Sequence, residues 1–86
     1  MENTQLADLE RHIAAVLVQA IAEDLEVDAA SIDQQARFTD LGLDSAGLIA
    51  VSERVSEELT RKVETEEFFE HVSVVELARH LAGRTP

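Results

Sequence analysis

Apolar residues recur at helical spacing through the first quarter of the chain. This spacing predicts an amphipathic helix over about residues 4–23. Either Thr4 or Asn3 is expected to cap its start by accepting a hydrogen bond from an otherwise unpaired amide. The apolar positions that define the helix are Leu6, Leu9, Ile13, Val16, Leu17, Ala20 and Ile21.

The next segment, residues 24–44, has no sustained period and is interpreted as a long loop. Loops of this length within a small domain tend to be functional. A single helical turn is expected around Ala29–Asp33 or Arg37–Leu41. We expect the loop to pack over the helices through its apolar residues, which are Leu25, Val27, Ile32, Phe38, Leu41 and Leu43.

A second helix is predicted from about Ser45 to Leu59, with Asp44 as its N-cap. Gly47 is unusual there, because glycine in a helix costs about 1 kcal/mol relative to alanine. Its missing side chain would also let another surface approach the backbone. The predicted buried side of this helix is Leu48, Ile49, Val51, Val55 and Leu59.

Two further helices are predicted in the last third of the chain. A short one, Glu66–Glu70, carries two phenylalanines, and the last one covers about Val74–Ala82. Ser73 and Glu76 have the spacing of a capping box, and Gly83 is a natural stop. No alternating strand pattern competes. The fold class is therefore all-α, a small four-helix bundle of three longer helices and one short helix in a single domain, residues 1–86.

The net charge of the chain limits the classes of partner that it can bind. The formal net charge is -11, from 18 acidic and 7 basic residues, and aromatic residues amount to 3% of the chain. Such a protein is repelled by nucleic acid and by anionic membranes, and it is attracted by basic protein surfaces. We therefore expect neither nucleic acid nor membrane as a partner.

The chain has no cysteine, which excludes disulfides and thiolate metal sites and suits a reducing cytoplasm. Its start lacks the layout of a signal peptide, and no apolar run reaches transmembrane length. We expect a cytoplasmic protein. Met1 stands directly before the first helix, which favours a free-standing protein, while the tail Arg84-Thr85-Pro86 leaves a domain cut from a longer chain open.

The strongest chemical signal is Ser45, at the end of the run Leu41-Gly42-Leu43-Asp44-Ser45. Gly42 permits a tight turn and Asp44 caps the helix, so Ser45 is expected at the first helical position, exposed. A hydroxyl that carries a phosphodiester suits this position, because helix N-termini stabilise phosphate. Taken alone, Asp44-Ser45 is only a helix-start signature.

The longer pattern resembles the acyl carrier protein family, most closely the carrier domains of polyketide synthases. The resemblance runs from Leu6 to Leu81, and a Gly-Gly-His-Ser motif is absent, which favours an acyl cargo over an aminoacyl one. The runs that carry it are Phe38-Thr39-Asp40-Leu41-Gly42-Leu43-Asp44-Ser45, Phe68-Phe69-Glu70-His71 and Ser73-Val74-Val75-Glu76-Leu77.

The resemblance implies a carrier without catalytic activity. A phosphopantetheinyl transferase would move 4'-phosphopantetheine from coenzyme A onto Ser45, with Asp44 as the flanking motif residue, and the arm would hold acyl or polyketide intermediates as thioesters. The implied partners are a ketosynthase, an acyltransferase or other acyl-processing enzymes, and the carrier itself would be monomeric.

The resemblance also implies a docking surface for partner enzymes around Ser45. Three departures from the family change this surface or its surroundings. Ala46-Gly47 replaces a large apolar pair, Ala50 stands where an acidic residue is common, and Val72 replaces a proline, which affects only local stiffness. The expected partner-facing residues are Leu43, Ala46, Gly47, Ala50, Glu53 and Arg54.

Other functions are weighed against this one. The runner-up is a helical interaction module that keeps the carrier fold without the modification. A hydrolase would need a histidine to activate Ser45, but the chain has no glycine-flanked nucleophile turn. A metal site is also disfavoured, because no two histidines are three or four residues apart. A calcium loop that begins at Asp40 would place Val51 at the position that requires a glutamate. The histidines, His12, His71 and His80, and two acidic groups are expected to lie on solvated helix faces. The acidic groups are Glu57-Glu58 and Glu64, Glu66 and Glu67.

Overall fold

Four α-helices make up most of the described chain. The computed structural model describes residues 2–84 and, within them, the side chains of residues 5–83. In this range no strand forms, and no helix has the length and apolar character needed to cross a membrane. The order of elements confirms the predicted bundle. The helices are α1 (Glu2–Leu25), α2 (Ser45–Leu59), α3 (Thr65–Glu70) and α4 (Val74–Arg84).

Helix α1 is longer at both ends than its apolar pattern predicts. Asn3 and Thr4 lie inside it, so the prediction that one of them is the N-cap is wrong. The polar residues before the first apolar position simply continue the helix. Beyond its other end, Glu26 adopts a positive φ of 58°, and the amide of Val27 donates to the carbonyl of Ala22 at 3.0 Å. This bond satisfies a terminal carbonyl and closes the helix.

Helix α4 also extends further than expected, because Gly83 lies within it and does not stop it. A Cβ at Gly83 would meet nothing within 4 Å, so no close contact requires glycine there. The guanidinium of Arg61 donates to the carbonyl of Leu81 at 2.6 Å and so satisfies one of the last carbonyls of this helix. At its start, the amide of Glu76 donates to Ser73 Oγ at 3.2 Å, which confirms the serine half of the predicted capping box.

The long loop between α1 and α2 is ordered by two 3₁₀ turns, Ala29–Ser31 and Phe38–Leu41, one at each predicted place. Val27 departs from the expected packing, since its side chain is 46% exposed. The loop is otherwise held against the helices as predicted. Its buried apolar side chains are Ile32, Phe38 and Leu43.

Backbone hydrogen bonds fix the loop to the link between α3 and α4. The amide of Phe38 donates to the carbonyl of Val72 at 2.8 Å, and the amide of Val75 donates to the carbonyl of Gln34 at 3.1 Å. Val72 acts here through its carbonyl, which a proline would also offer. These bonds set the position of the segment that leads into α2.

The core is formed mainly where α1 meets α4 and α2. The rings of Phe38 and Phe68 also pack there, with centroids 5.1 Å apart. Two predicted core positions are exposed instead, Leu6 at 44% and Ile49 at 49%. The most deeply buried large side chains are Ile13, Leu17, Ile21, Val51, Val55, Val63, Phe68, Val74, Leu77 and Leu81.

A buried carboxylate joins α3 to α4. Glu67 is only 7% exposed, and its two oxygens lie 2.9 Å from the amide of Glu64 and 3.0 Å from His80 Nε2. The ring of His71 stacks on that of His80 with centroids 3.9 Å apart. The expectation of solvated faces is therefore wrong for Glu67, which is buried, and for His71 and His80, which are half-buried, because the sequence does not show this tertiary contact.

Candidate functional site

Ser45 is exposed and is the first residue of α2. Asp44 precedes it in extended conformation, and its Oδ1 accepts a hydrogen bond of 2.8 Å from the amide of Gly47. The carbonyl of Asp44 accepts from the amide of Leu48 at 2.9 Å, which begins the helical ladder. The predicted N-cap is confirmed. It holds the Ser45 hydroxyl at the positive end of a helix of 15 residues.

The approach to Ser45 is a tight turn anchored in the core. Gly42 has a φ of 101°, which an L side chain rarely adopts, and its amide donates back to the 3₁₀ turn before it. The side chain of Leu43 is only 4% exposed, so the prediction that Leu43 faces a partner is wrong. The apolar side chain of Leu43 packs against α2, where it is more stable than in water. This packing holds the turn in position.

Gly47 is buried, so the prediction that it faces a partner is also wrong. A Cβ on Gly47 would lie 2.9 Å from Asp24 Oδ2, 3.2 Å from Asp44 Oδ1 and 3.3 Å from Leu43 Cδ2. The surface that approaches this glycine therefore belongs to the end of α1 and not to another protein. A large residue at this position would therefore be crowded unless these side chains moved.

The replacement Gly47→Leu is expected to lower the free energy of unfolding by about 1–3 kcal/mol, because the added atoms enter an occupied space. Ala46→Leu is the matched control: Ala46 is exposed on the same turn, and its replacement should change stability by less than about 0.5 kcal/mol. Urea denaturation measures both. Removing the Asp24 carboxylate with Asp24→Ala should recover part of the loss in the double variant, and full additivity of the two changes would contradict the contact.

The four other residues predicted to face a partner are all exposed. Since successive helical residues are rotated by about 100°, Ala50 and Arg54 point towards α1, whereas Ala46 and Glu53 point straight into solvent. Arg54 Nη2 lies 2.5 Å from Glu23 Oε1 of α1, and the two side chains are 52% and 47% exposed. Arg54 is thus held in a surface ion pair within the chain, and a role in docking stays a prediction for all four residues.

Two apolar residues, one on α2 and one on α3, are exposed although the sequence interpretation did not predict it. Ile49 is 49% exposed and Phe69 is 59% exposed. A groove of about 260 Å³ lies where the second 3₁₀ turn approaches α2 and α3, and Leu48, Phe68 and Phe69 are among the residues that line it. One signal was available, since Ile49 is four residues after Ser45 and so shares its face rather than that of the buried positions.

The histidines do not join Ser45 in a hydrolytic site. His71 and His80 stack on each other, and His80 contacts Glu67. His12 lines a groove with Leu59, at the end of α2 opposite to Ser45 and about 20 Å along the helix. Within residues 2–84, no group of three or more His, Cys, Asp or Glu side chains is arranged to hold a metal ion.

An exposed hydroxyl at the start of a long helix fits a phosphodiester. The first amides of α2 point along the axis towards this end, where negative charge is favoured. Ser45 is accessible, and the turn before it is fixed by Leu43, so a bulky arm can extend into solvent without displacing the core. Ser45 would hold such a group covalently, and Asp44 would maintain the helix start that presents it.

Comparisons with known proteins agree with this geometry. Residues 15–81 match the family described as "Phosphopantetheine attachment site". The chain is 43% identical over 63 residues to polyketide synthase ThaG of Burkholderia thailandensis, covering 73% of this chain and 1% of that one. It is 35% identical over 66 residues to polyketide synthase PksM of Bacillus subtilis, covering 77% of this chain and 2% of that one. The chain therefore spans only a small part of the length of these relatives.

Solved structures show the same fold. A free-standing peptidyl carrier protein from Acinetobacter baumannii superposes with a TM-score of 0.80 at 23% identity, covering 86% of this chain and 92% of that one. BlmI, a type-II acyl-carrier-protein from Streptomyces verticillus, superposes with a TM-score of 0.72 at 29% identity, covering 95% and 92%. The matched residues include α2 with its capped start, α3 and most of α4. The chain therefore belongs to the phosphopantetheine attachment family of carrier domains.

Proposed function

We propose that Ser45 is the residue of this chain that carries 4'-phosphopantetheine. The observation that supports the proposal most directly is the exposed hydroxyl at the first position of α2, behind the Asp44 cap. The family description names the attached group. The resemblance of the Leu41-Gly42-Leu43-Asp44-Ser45 run to the family motif supports Ser45 as the residue that carries it.

The attachment is a phosphoryl transfer. The Ser45 oxygen forms a new bond to the β-phosphorus of coenzyme A, the bond from that phosphorus to the bridging oxygen breaks, and adenosine 3',5'-bisphosphate leaves. The hydroxyl proton passes to a base of the transferase. Ser45 contributes an accessible nucleophile, and the capped helix contributes a fixed position and a favourable field for the phosphodiester. Once attached, the arm supplies a thiol that holds an acyl group as a thioester.

We propose an acyl or polyketide cargo, because the relatives named above are polyketide synthases and BlmI is an acyl-carrier-protein. A ketosynthase, an acyltransferase or another acyl-processing enzyme would then act on the cargo. The proposal treats residues 1–86 as one monomeric carrier domain. It also includes a cytoplasmic setting, where a free thiol stays reduced.

Incubation with coenzyme A and a broad-specificity phosphopantetheinyl transferase tests the proposal. We expect the intact mass of the whole population to rise by one arm, and digestion should place the arm on the peptide that contains Ser45. An unchanged mass under conditions that load a known carrier protein would refute the function.

The second candidate is an interaction module that keeps the fold without the arm. The feature that favours it is the departure from the family at Ala46-Gly47, although the approach of Asp24 also disfavours a large residue at position 47 within this chain. A partner that binds equally well with and without coenzyme A supply, and equally well to Ser45→Ala, would favour this candidate.

A further inference from the structure

Among the described residues, Glu67 is the one charged residue that is buried, and the carrier function does not use it. The other buried polar side chains in this range are Ser52 and Ser73. A buried carboxylate is unfavourable unless its oxygens are paired. One oxygen of Glu67 accepts a hydrogen bond of 2.9 Å from the amide of Glu64, and the other lies 3.0 Å from His80 Nε2.

The ring of His71 covers the ring of His80. Their centroids are 3.9 Å apart and their planes differ by 16°, so the two rings lie face to face. The side chain of His80 is 30% exposed and His71 is half-buried, so both rings can exchange protons with water. The backbone holds His71 in place, since its amide donates to the carbonyl of Glu67 at 2.9 Å. We name Glu67, His71 and His80 the α3 latch.

Helix α3 depends on such contacts because it is short. Its six residues are too few for a helix that is stable alone. Its apolar anchor is Phe68, which packs against the loop residue Phe38, whereas Phe69 is exposed. The first turn is joined to α2, where Ser52 Oγ lies 3.3 Å from Thr65 Oγ1. The attachment of α3 to α4 therefore relies largely on the α3 latch.

Charged groups reach the surroundings of the two rings from α1, from the link after α2, from α3 and from α4. Arg61 donates to the carbonyl of Leu81, the residue after His80, and Arg79 is turned towards Glu10 of α1 at 3.5 Å. Glu67 is the group that contacts a ring at hydrogen-bond distance. The α3 latch thus has one negative charge in contact with two rings that can each take a proton. The full set of neighbouring charged groups is Glu10, Arg61, Lys62, Glu64, Glu67, Glu70, Glu76 and Arg79.

The number of protons on the two rings determines whether they attract or repel. Histidine is the side chain that changes charge between about pH 5 and pH 8. A proton on His80 places a positive charge beside the Glu67 carboxylate, which strengthens the contact. A second proton, on His71, places two positive charges face to face, and these repel each other. The unfolded chain takes both protons without this repulsion, so the contact loses stability as the pH falls.

We propose that the α3 latch is a pH-sensitive device that holds α3 on α4 while the two rings carry at most one proton and releases α3 when both are charged. Release begins beside Val72, whose carbonyl accepts from the amide of Phe38 at the loop that leads to Ser45. It also moves Phe69, which lines a groove together with Leu48 of α2. Acid pH therefore changes the surface near the start of α2. The device does not depend on arm attachment.

Urea denaturation of the unmodified protein at about pH 7.5 and about pH 5.0 tests the device. His71→Phe keeps an aromatic ring in the stack but takes no proton. We expect the unfolding constant of the wild type, divided by that of His71→Phe, to rise about fivefold between the two pH values, because two unit charges about 4 Å apart repel by such a factor in a largely aqueous setting. The ratio cancels the effect of acid on the carboxylates, which both proteins share.

His12→Phe is the matched control. His12 is an exposed histidine of α1, and it lines a groove with Leu59 away from the α3 latch. The corresponding ratio for His12→Phe should change by less than about twofold between the two pH values.

Hydrogen exchange of the wild type gives a second readout that needs no variant. On acidification, the protection factors of the amides in Thr65–Glu70 should fall about fivefold more than those of α1, because α3 opens locally. Protection factors are already corrected for the intrinsic effect of pH on exchange.

The outcomes decide the proposal in either direction. An unchanged ratio for His71→Phe, or an equal change for His12→Phe, overturns the device. Equal loss of protection in α1 and α3 also overturns it, because the whole chain would then unfold together. If His71→Phe does not fold, His71→Gln and the exchange measurement on the wild type decide the question. The arm-loading reaction at Ser45 is a separate measurement, so failure of one proposal does not affect the other.

Discussion

Replacement of Ser45 by alanine is expected to abolish uptake of the phosphopantetheine arm. The wild type should gain the mass of one arm, and Ser45→Ala should keep its original mass under the same conditions. The reason is chemical, since the variant has no oxygen to attack coenzyme A at the position that the transferase reaches. Intact-protein mass spectrometry measures the outcome directly, and no residual slow modification is expected.

Stability and a matched serine are the controls for this prediction. Ser45 is exposed, so its loss should change the free energy of unfolding by less than about 0.5 kcal/mol. Ser31 is also exposed, in the 3₁₀ turn Ala29–Ser31, and Ser31→Ala should take up the arm as the wild type does. Arm uptake by Ser45→Ala, or its loss in Ser31→Ala, would show that the assignment of the attachment residue is wrong.

The start of α2 was predictable because its signals are local. Asp44 directly precedes a run of helix-forming residues. An aspartate in that position can accept a hydrogen bond from the amide three residues later, and this is the cap that the structure shows at Gly47. The exposed position of Ser45 follows from the same geometry. The order of the helices was predictable for a similar reason, since each apolar pattern has the period of the element that it forms.

The partner-facing residues were less predictable because burial depends on what another helix brings. Gly47 and Leu43 are buried through the approach of α1 and the turn before α2, and no pattern within α2 records this. Ile49 was counted among the core residues because it is apolar, yet its angular position places it beside the exposed residue Ser45. The type of a residue indicates whether it prefers burial, but the packing of the helices determines which apolar residues are buried.

Phe68 and Phe69 also show that the sequence alone does not indicate which of two apolar neighbours is buried. The sequence places both in one short helix and does not distinguish them. In the structure Phe68 is 2% exposed and packs against Phe38, whereas Phe69 is 59% exposed at the groove beside α2. The two adjacent rings therefore have different roles, one in folding and one on the surface.

Phe68→Ala is accordingly expected to lower the free energy of unfolding by about 3–5 kcal/mol, through lost burial and the cavity left beside Phe38. The total stability of a domain of this size is about 5–10 kcal/mol, so the variant should be marginally folded near 25 °C. Urea denaturation followed by far-ultraviolet circular dichroism measures the change.

Phe69→Ala is the matched control, since it removes the same atoms one residue further along. Its stability should stay within about 0.5 kcal/mol of the wild type, because its ring is mostly in water already. Equal losses of stability in the two variants would contradict the assignment of one ring to the core and the other to the surface.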